Sequence, residues 1–598
     1  MNRRMLLAFL GSSPLLARAL GARSAGDAPL PIRARVRPGD KGWPSASDWT
    51  RLNKKVEGRL VMPRSPLVEC VPESCRGALE SLKNPFYVGD EVGLTQTSGW
   101  VDAWTSQQSA YAVAAANTQD VIEAVNFARE HRLRLVVKGG GHSYQGTSQA
   151  PDSLLLWTRS MNAVVLHDAF IPQGCGGKLR PEPAVSIEAG AMWIDAYQAV
   201  TTQAGRYVQG GGCTTVGVAG LVQSGGFGSF SKNFGCAAAG LLEAEVVTAD
   251  GAARIVNECQ HADLFYALKG GGGGSFGIVT RLVLRTRPLP QTFGAVSGAI
   301  AASTDAAYRR LIGKAIAFYR DRLFGPHWGE QFVFRRDNVL ELALMFQGLG
   351  QPEAQALWAP FLDEVRADPS YRFARDVQIL ALPARHLWDA EFLKQHAPAV
   401  LVGDGRPASP AHHFVWAGDA HQVGWFIHAF RSAYLPSRLL ADDQQAGLAD
   451  ALFAATRHWQ TELHFNKGLA GAPPEELAAA RQTALNPGAL EAFALAIISG
   501  GGPPAYAGMP APDFAAARAD ALIINRAMQE LLRVAPDAGS YVSESDYFEA
   551  QWQASFWGTN YAKLAAVKRA YDPEGLFWVH HGVGSEVWSD DGFTPRTS

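Results

Sequence analysis

The chain has 598 residues, 47% of them apolar and 18% charged, and its 54 basic and 56 acidic residues leave a net charge of −2. That length exceeds one ordinary hydrophobic core, so two or more domains are expected, and the composition excludes a disordered protein. Near-neutral charge without any Lys/Arg run excludes nucleic acid or an anionic membrane surface as a partner recognised by bulk electrostatics.

At the N-terminus, MNRRMLLAFLGSSPLLARALGARS has a basic start, a short apolar stretch and small residues after it. Residues 1–25 read as an export signal, with Arg3 and Arg4 resembling a twin-arginine pair, so the expected location is periplasmic or secreted. No other stretch approaches 18 uninterrupted apolar residues, and no membrane span is expected. The six cysteines, Cys70, Cys75, Cys175, Cys213, Cys236 and Cys259, show no metal-site spacing. Cys70 and Cys75 could pair in an oxidising compartment. If Cys213 has another task, at least one of the remaining five is unpaired.

YAVAAA (111–116) reads as a buried strand. Thr118 suits an N-cap, and Val121, Val125 and Ala128 fall on one face of the helix that follows. RLRLVV then forms a second strand running into VVKGGGHSYQG (136–146), so residues 111–141 suggest a β-α-β unit ending in a glycine turn. GGGHSYQG does not fit G-x-G-x-x-G, which argues against a dinucleotide fold of the Rossmann type. Its successive backbone N–H groups can still cradle a pyrophosphate.

A second block, YVQGGGCTTVGVAGLVQSGGFGSFSKNFG (207–235), alternates glycines with apolar residues, as backbone lying against a large flat ligand requires. EVVTADGAARIV (245–256) reads as a hairpin turning at Asp250-Gly251. ALKGGGGGSFGIVTRLVLRT (267–286) adds a third glycine cluster before a strand. Near RTRPLPQTFG (285–294) the glycine clusters end, and QFVFRRDNVLELALMFQ (331–347) reads as a hairpin within an antiparallel sheet that also carries helices. The segment HHFVWAGDAHQVGWFIHAF (412–430) is rich in histidine. Adjacent histidines on a strand point apart, so it is read as core or hydrogen-bonding rather than metal-binding, as are His580 and His581, and no metal is expected.

KGGGHSYQG, GGGCTTVGVAGLVQSGGFG, ALKGGGGGSFGIVT and the tail NYAKLAAVKRAYDPEGLF, in that order, resemble the berberine-bridge-enzyme-like branch of FAD-linked oxidases, within the vanillyl-alcohol-oxidase superfamily. The resemblance implies an α+β fold. A PCMH-type FAD-binding domain of two α+β subdomains spans 105–290, a substrate domain with an antiparallel sheet and helices spans 291–536, and a segment over 537–598 returns to the first. It implies FAD bonded at the 8α-methyl to His142 and at C6 to Cys213. Lys138 takes the basic position of the histidine motif. Gly139, Gly140 and Gly141 would wrap the pyrophosphate, Ser143 beside His142 is a further expected cofactor-binding residue, and Gly217, Gly220, Gly225, Gly226 and Gly228 would lie close to ribityl and adenosine. Gly277, Ile278 and Val279 resemble the family strand beside the adenine, and Asn560 and Tyr561 would approach the flavin.

Carbohydrate oxidases of this family carry a Y-x-N-Y segment whose second tyrosine is the base. Here the segment is Tyr541-Val542-Ser543-Glu544, so Glu544 is the expected general base, with burial expected to raise its pKa and with Tyr541 and Tyr547 supporting it. Val216, third after the cysteine, resembles oxidases, so dioxygen is the expected acceptor and hydrogen peroxide the product. The expected activity is hydride removal from an alcohol: a sugar, a small alcohol or a secondary metabolite. A dehydrogenase with a quinone or protein acceptor, or a flavoprotein that binds without turnover, are the alternatives.

Overall fold

The computed structural model describes residues 32–68 and 72–596. The export signal expected at 1–25 and Cys70 lie outside the described residues. Cys75 is disulfide-bonded, and Cys175 is bonded to Cys259 with their Cα atoms 5.6 Å apart. Cys213 and Cys236 carry free thiols. Among the described residues no helix is long and apolar enough to cross a membrane.

The fold is α+β, built on three principal sheets. In the first, strands Tyr111–Ala114, Ser153–Trp157 and Arg134–Lys138 run parallel, and Leu60–Val61 pairs antiparallel at the edge. The two strands of the expected β-α-β unit are therefore not neighbours, because Ser153–Trp157 inserts between them. The connecting helix, Thr118–Glu130, buries Val121, Ala124, Val125 and Ala128 on one face. Its N-cap is Asn117 rather than Thr118: the Asn117 side chain accepts from Asp120 N at 3.0 Å, while Thr118 Oγ1 donates instead to Glu245.

The second sheet is antiparallel, with Leu241–Val247 and Ala253–Asn257 forming the hairpin around Gly251, whose φ is 77°. Strand Ile278–Pro288 runs through this sheet, and after a short turn Thr292–Ala302 enters the third. That nine-stranded sheet contains the Trp328–Phe334 and Val339–Gln347 hairpin, and helices Asp305–Phe318, Gln351–Ala367, Gln445–Thr456 and Phe514–Leu532 share its hydrophobic core. It is not purely antiparallel. Thr97–Trp100, N-terminal to the glycine clusters, joins it parallel to Trp425–Pro436.

Two contacts tie these units into one body. The tail returns, and Phe577 forms a parallel bridge with Leu135 of the first sheet. Lys568, on tail helix Tyr561–Tyr571, donates to Ser275 O and Phe577 O at 2.7 Å each and pairs with Asp572 at 2.6 Å. Between the second and third sheets stands Lys232, fully buried, which donates to the carbonyls of Gly468 (2.5 Å), Ala470 (2.9 Å) and Phe493 (3.1 Å). Burial pushes its pKa from 10.5 down to about 7.

Lys232→Met leaves three carbonyls without their donor, and we expect a loss of about 2–4 kcal/mol in denaturant unfolding. Because the folded pKa lies below the unfolded one, the lysine's contribution is complete above about pH 10.5 and falls away as pH drops through about 7. The deficit of the methionine variant should therefore widen between pH 7 and pH 9, and a deficit that narrows over that range would contradict the assignment.

Candidate active site

The site begins where strand Arg134–Lys138 ends. Gly139, Gly140 and Gly141 carry the chain to His142, and Gly141 O accepts from Gln96 N at 3.0 Å. Gly141 has φ 80°, a left-handed conformation suited to glycine. Burial lowers the His142 pKa to about 4, and Nε2 hydrogen-bonds with Thr215 Oγ1 at 3.0 Å. The imidazole is thus neutral at physiological pH, the form in which it is a nucleophile.

Thr215 belongs to the cysteine loop, which packs backbone to backbone on the histidine loop. A Cβ at Gly140 would lie 2.7 Å from Gly217 N and 2.9 Å from Thr215 O, and one at Gly217 would lie 2.8 Å from Gly140 N. His142 and Cys213 consequently open on a single cavity of about 790 Å³. Gly139, Gly140, Gly141, Ser143, Val216, Gly217, Gly220, Gly228, Gly277, Ile278 and Val279 line the same cavity. A Cβ at Gly220 would meet no protein atom within 4 Å, so this backbone is open on its cavity side although it lies in a helix. Glycine in a helix is otherwise a cost, and the opening suits a bulky ligand lying against it.

Other expected ligands sit elsewhere. Lys138 turns under the loop, fully buried, and donates to Glu91 O and Leu94 O at 2.5 Å each, with its pKa lowered to about 7 by burial. It braces the 91–94 turn and does not line the cavity. Gly225 and Gly226, with φ 104° and 75°, shape the loop behind Tyr541, whose hydroxyl accepts from Gly226 N at 3.3 Å. Asn560 donates to Leu485 O and Tyr561 to Glu586, both away from the cavity. From the tail, Tyr541, Glu544, Trp557, Phe577, His580 and His581 are among the residues that line it. Tyr547 stacks on His580 with centroids 3.7 Å apart, so it supports the wall and does not reach the cavity.

The far half of the cavity is built by the third sheet. Strand Thr461–His464 alternates, which puts Glu462 and His464 on one face with His464 Nε2 and Glu462 Oε2 3.0 Å apart. Lys467 follows on a short 3₁₀ turn, and its ammonium donates to both carboxylate oxygens of Glu544 at 2.6 and 2.7 Å. Glu544 is thus a partly exposed, ion-paired carboxylate on a turn rather than one isolated by burial. Ser432 donates to Glu544 O, and Gln145 donates to Ser545 O at 2.9 Å, tying this turn to the third sheet and to the histidine loop. Glu330 enters from strand Trp328–Phe334 with φ 63°, and Asn466 donates to its carboxylate at 3.4 Å. A non-glycine residue held in the left-handed region inside a cavity is a mark of function. Tyr144 and Phe430, with rings 4.9 Å apart, add an aromatic wall.

The histidine-rich segment also departs from expectation. His412 and His413 do not point apart: both Nε2 atoms approach Asp195 Oδ1, at 3.1 and 3.0 Å. The residues after them grip the cysteine loop, since Thr214 Oγ1 donates to Phe414 O at 2.6 Å and Trp416 Nε1 donates to Gly212 O at 3.2 Å.

Comparison with known proteins places this geometry. The family model for an FAD binding domain matches residues 109–257, and the berberine and berberine-like model matches 540–584. A VAO-type flavoprotein oxidase of Thermothelomyces thermophilus is 28% identical, with 93% of this chain and 94% of that one covered. The FAD-linked oxidoreductase malF of Malbranchea aurantiaca is 27% identical, with 94% of each covered. The chain is similar to the berberine-bridge-enzyme-like FAD-linked oxidoreductases over both matched segments. The crystal structure of a VAO-type flavoprotein from Myceliophthora thermophila superposes with a TM-score of 0.76 at 25% identity, covering 93% of this chain and 98% of that one. Glucooligosaccharide oxidase from Acremonium strictum shares the fold with a TM-score of 0.60 at 19% identity, covering 82% and 94%, and its FAD is 6-S-cysteinyl and 8α-N1-histidyl. FAD is the cofactor of this family and of this chain, and the open backbone at Gly220 beside the glycine loops fits it.

Gly220→Ala separates cofactor fit from folding. Flavin-free protein should be as stable as wild type or more so, by up to about 1 kcal/mol for alanine in a helix. Its flavin-to-protein ratio, read from absorbance after purification, should fall several-fold. Full loading would show that the cofactor does not lie against this helix.

Proposed function

We propose that this FAD-linked oxidoreductase is a bicovalent oxidase that removes hydride from a CH–OH group and passes the electrons to dioxygen. The observation that carries the reading is the convergence of His142 and Cys213 on one cavity that continues into a pocket holding the Lys467–Glu544 pair. Bound flavin supplies the hydride acceptor and the route to oxygen. His142 and Cys213 would hold it at two points, which suits a cofactor in an accessible cleft.

The substrate would enter between the third sheet and the cofactor. Glu330, Gln331, Gln460, Glu462 and His464 offer hydrogen-bonding groups there, and Trp425 and Phe430 offer apolar rings. That mixture suits a polyhydroxylated substrate with an apolar face, such as a sugar, better than a purely hydrophobic one. Glu544 is the proposed general base. Each carboxylate oxygen accepts on two lone pairs, so the grip of Lys467 leaves acceptor capacity for a substrate hydroxyl. Lys467 fixes the carboxylate, and Tyr541 buttresses the turn that carries it. Val216, with its carbonyl held by Trp193 N at 3.0 Å, lines the cavity three residues from the cysteine and supports dioxygen as acceptor. Export to the periplasm or medium belongs to the same proposal and is supported by the Cys175–Cys259 disulfide, a bond that persists in oxidising compartments.

The test is a panel of sugars and small alcohols scored by peroxide release. Glu544→Gln should lower kcat by about 10²-fold or more, as loss of a general base does, with flavin content unchanged. Turnover at the wild-type rate would remove Glu544 as base, and flavin reduction without peroxide would replace the oxidase by a dehydrogenase. Mass spectrometry of denatured protein should find flavin on both His142 and Cys213 peptides.

A further inference from the structure

A cysteine that must bond to a ring carbon has to become a thiolate, because the undissociated thiol is a poor nucleophile. Cys213 is ill placed to ionise unaided. Burial, and then the negative charge of Asp419, push its thiol pKa well above the ordinary value. Asp419 lines the same cavity as Cys213, close enough for its charge to bear on the thiol.

This placement is constructed by a dedicated segment. Residues 412–419, which include strand Phe414–Trp416 of a separate two-stranded sheet, clasp the cysteine loop on both flanks. Trp416 Nε1 holds Gly212 O, and Phe414 O takes the Thr214 hydroxyl, so Cys213 is the residue left between two anchored neighbours. The loop is fixed from behind as well, by Ile194 N on Thr214 O at 3.0 Å, and Asp195 of the same helix receives His412 and His413. Asp419 N bonds to Trp416 O at 2.9 Å, which closes the turn that carries its side chain to the cavity Cys213 lines. Burial pushes the Asp419 carboxyl upward, and the charge of Glu330 adds to the rise. The other groups facing the pair are Lys467, committed to Glu544, His421 on the Asp419 side, and the buried hydroxyls of Tyr144 and Tyr197.

We propose that Asp419 is the general base that takes the Cys213 thiol proton as the sulfur bonds to flavin C6, making this carboxylate a catalytic residue of the protein's own cofactor attachment. The proposal rests on the bicovalent reading above. Overall, one S–H bond and one ring C–H bond are lost and one S–C bond forms. The two electrons and two protons released pass to dioxygen, so one hydrogen peroxide forms per cysteine attached and the flavin ends oxidised. Asp419 returns its proton to solvent and is unchanged.

The test uses purified holoprotein, denatured and alkylated with iodoacetamide, with peptides quantified by mass. Cys236, the other free thiol, is the internal control. Wild type should show Cys213 carrying flavin and Cys236 alkylated. Asp419→Asn should keep flavin on His142 but leave Cys213 alkylatable. On aerobic incubation its free thiol should disappear at a rate that rises about tenfold per pH unit, because only the thiolate fraction reacts. Asp419→Glu, which keeps a carboxylate, should restore attachment at neutral pH, and it decides the matter if the asparagine variant does not fold. Complete attachment in Asp419→Asn as isolated, or attachment that stays absent and insensitive to pH, overturns the base role. An alkylatable Cys213 in wild type overturns the bicovalent reading itself, which is a different result.

Discussion

The site depends on two backbones being allowed to touch. Gly140 and Gly217 meet so closely that a Cβ on either would strike the other's amide nitrogen. The touching loops come from different sheets, and their contact puts His142 against Thr215 and sets Cys213 on the same cavity. Any side chain at that contact would force the loops apart and separate His142 from Cys213. The glycines of this chain are therefore of two kinds. Some, such as Gly140 and Gly217, are small so that protein can meet protein, and others, such as Gly220, leave the cavity wall open.

Around that contact, buried charges do mechanical work that their sequence positions do not advertise. Lys138 and Lys232 each donate to backbone carbonyls from full burial, the first bracing the turn at 91–94 and the second joining the second sheet's unit to the third. A buried ammonium is costly unless its donors are satisfied, and here backbone carbonyls satisfy them. The two lysines stiffen the floor and the wall of the cavity respectively. The substrate side is tuned differently. Lys467 neutralises Glu544, His464 attends Glu462, and Asp419 lines the cavity with Cys213, so each of these acidic groups has its own neighbour.

Much of this was legible because it is local. Helix Thr118–Glu130 showed in the spacing of its apolar residues, and the hairpins at Gly251 and Asn338 showed in their turn residues. The three glycine clusters, with the tail motif, carried the resemblance, since backbone close to a flat ligand constrains residues that are contiguous in the chain. The failures share one cause. Lys138 takes the basic position of the histidine motif and was expected among the cofactor-binding residues, yet its side chain turns inward to carbonyls 44 to 47 residues earlier. His412 and His413 were expected to diverge, but the chain leaves regular strand geometry before Phe414–Trp416 and both rings turn to Asp195. Asn560 and Tyr561 belong to a tail motif but serve its packing, while Trp557 and His580 nearby form the wall.

By itself the sequence determined the α+β class and the cofactor and singled out His142 and Cys213, because each is encoded in a short run whose backbone must adopt one conformation. It also isolated Glu544 as the residue standing where a tyrosine would be expected. Only the tertiary structure decided what surrounds these groups. Lys467 reaches Glu544 across 77 residues, and Thr214 meets Phe414 across 200, carrying Asp419 to the cavity that Cys213 lines. Such pairings arise from the packing of separate sheets, and no periodicity or motif within either segment records the partner that the other will present.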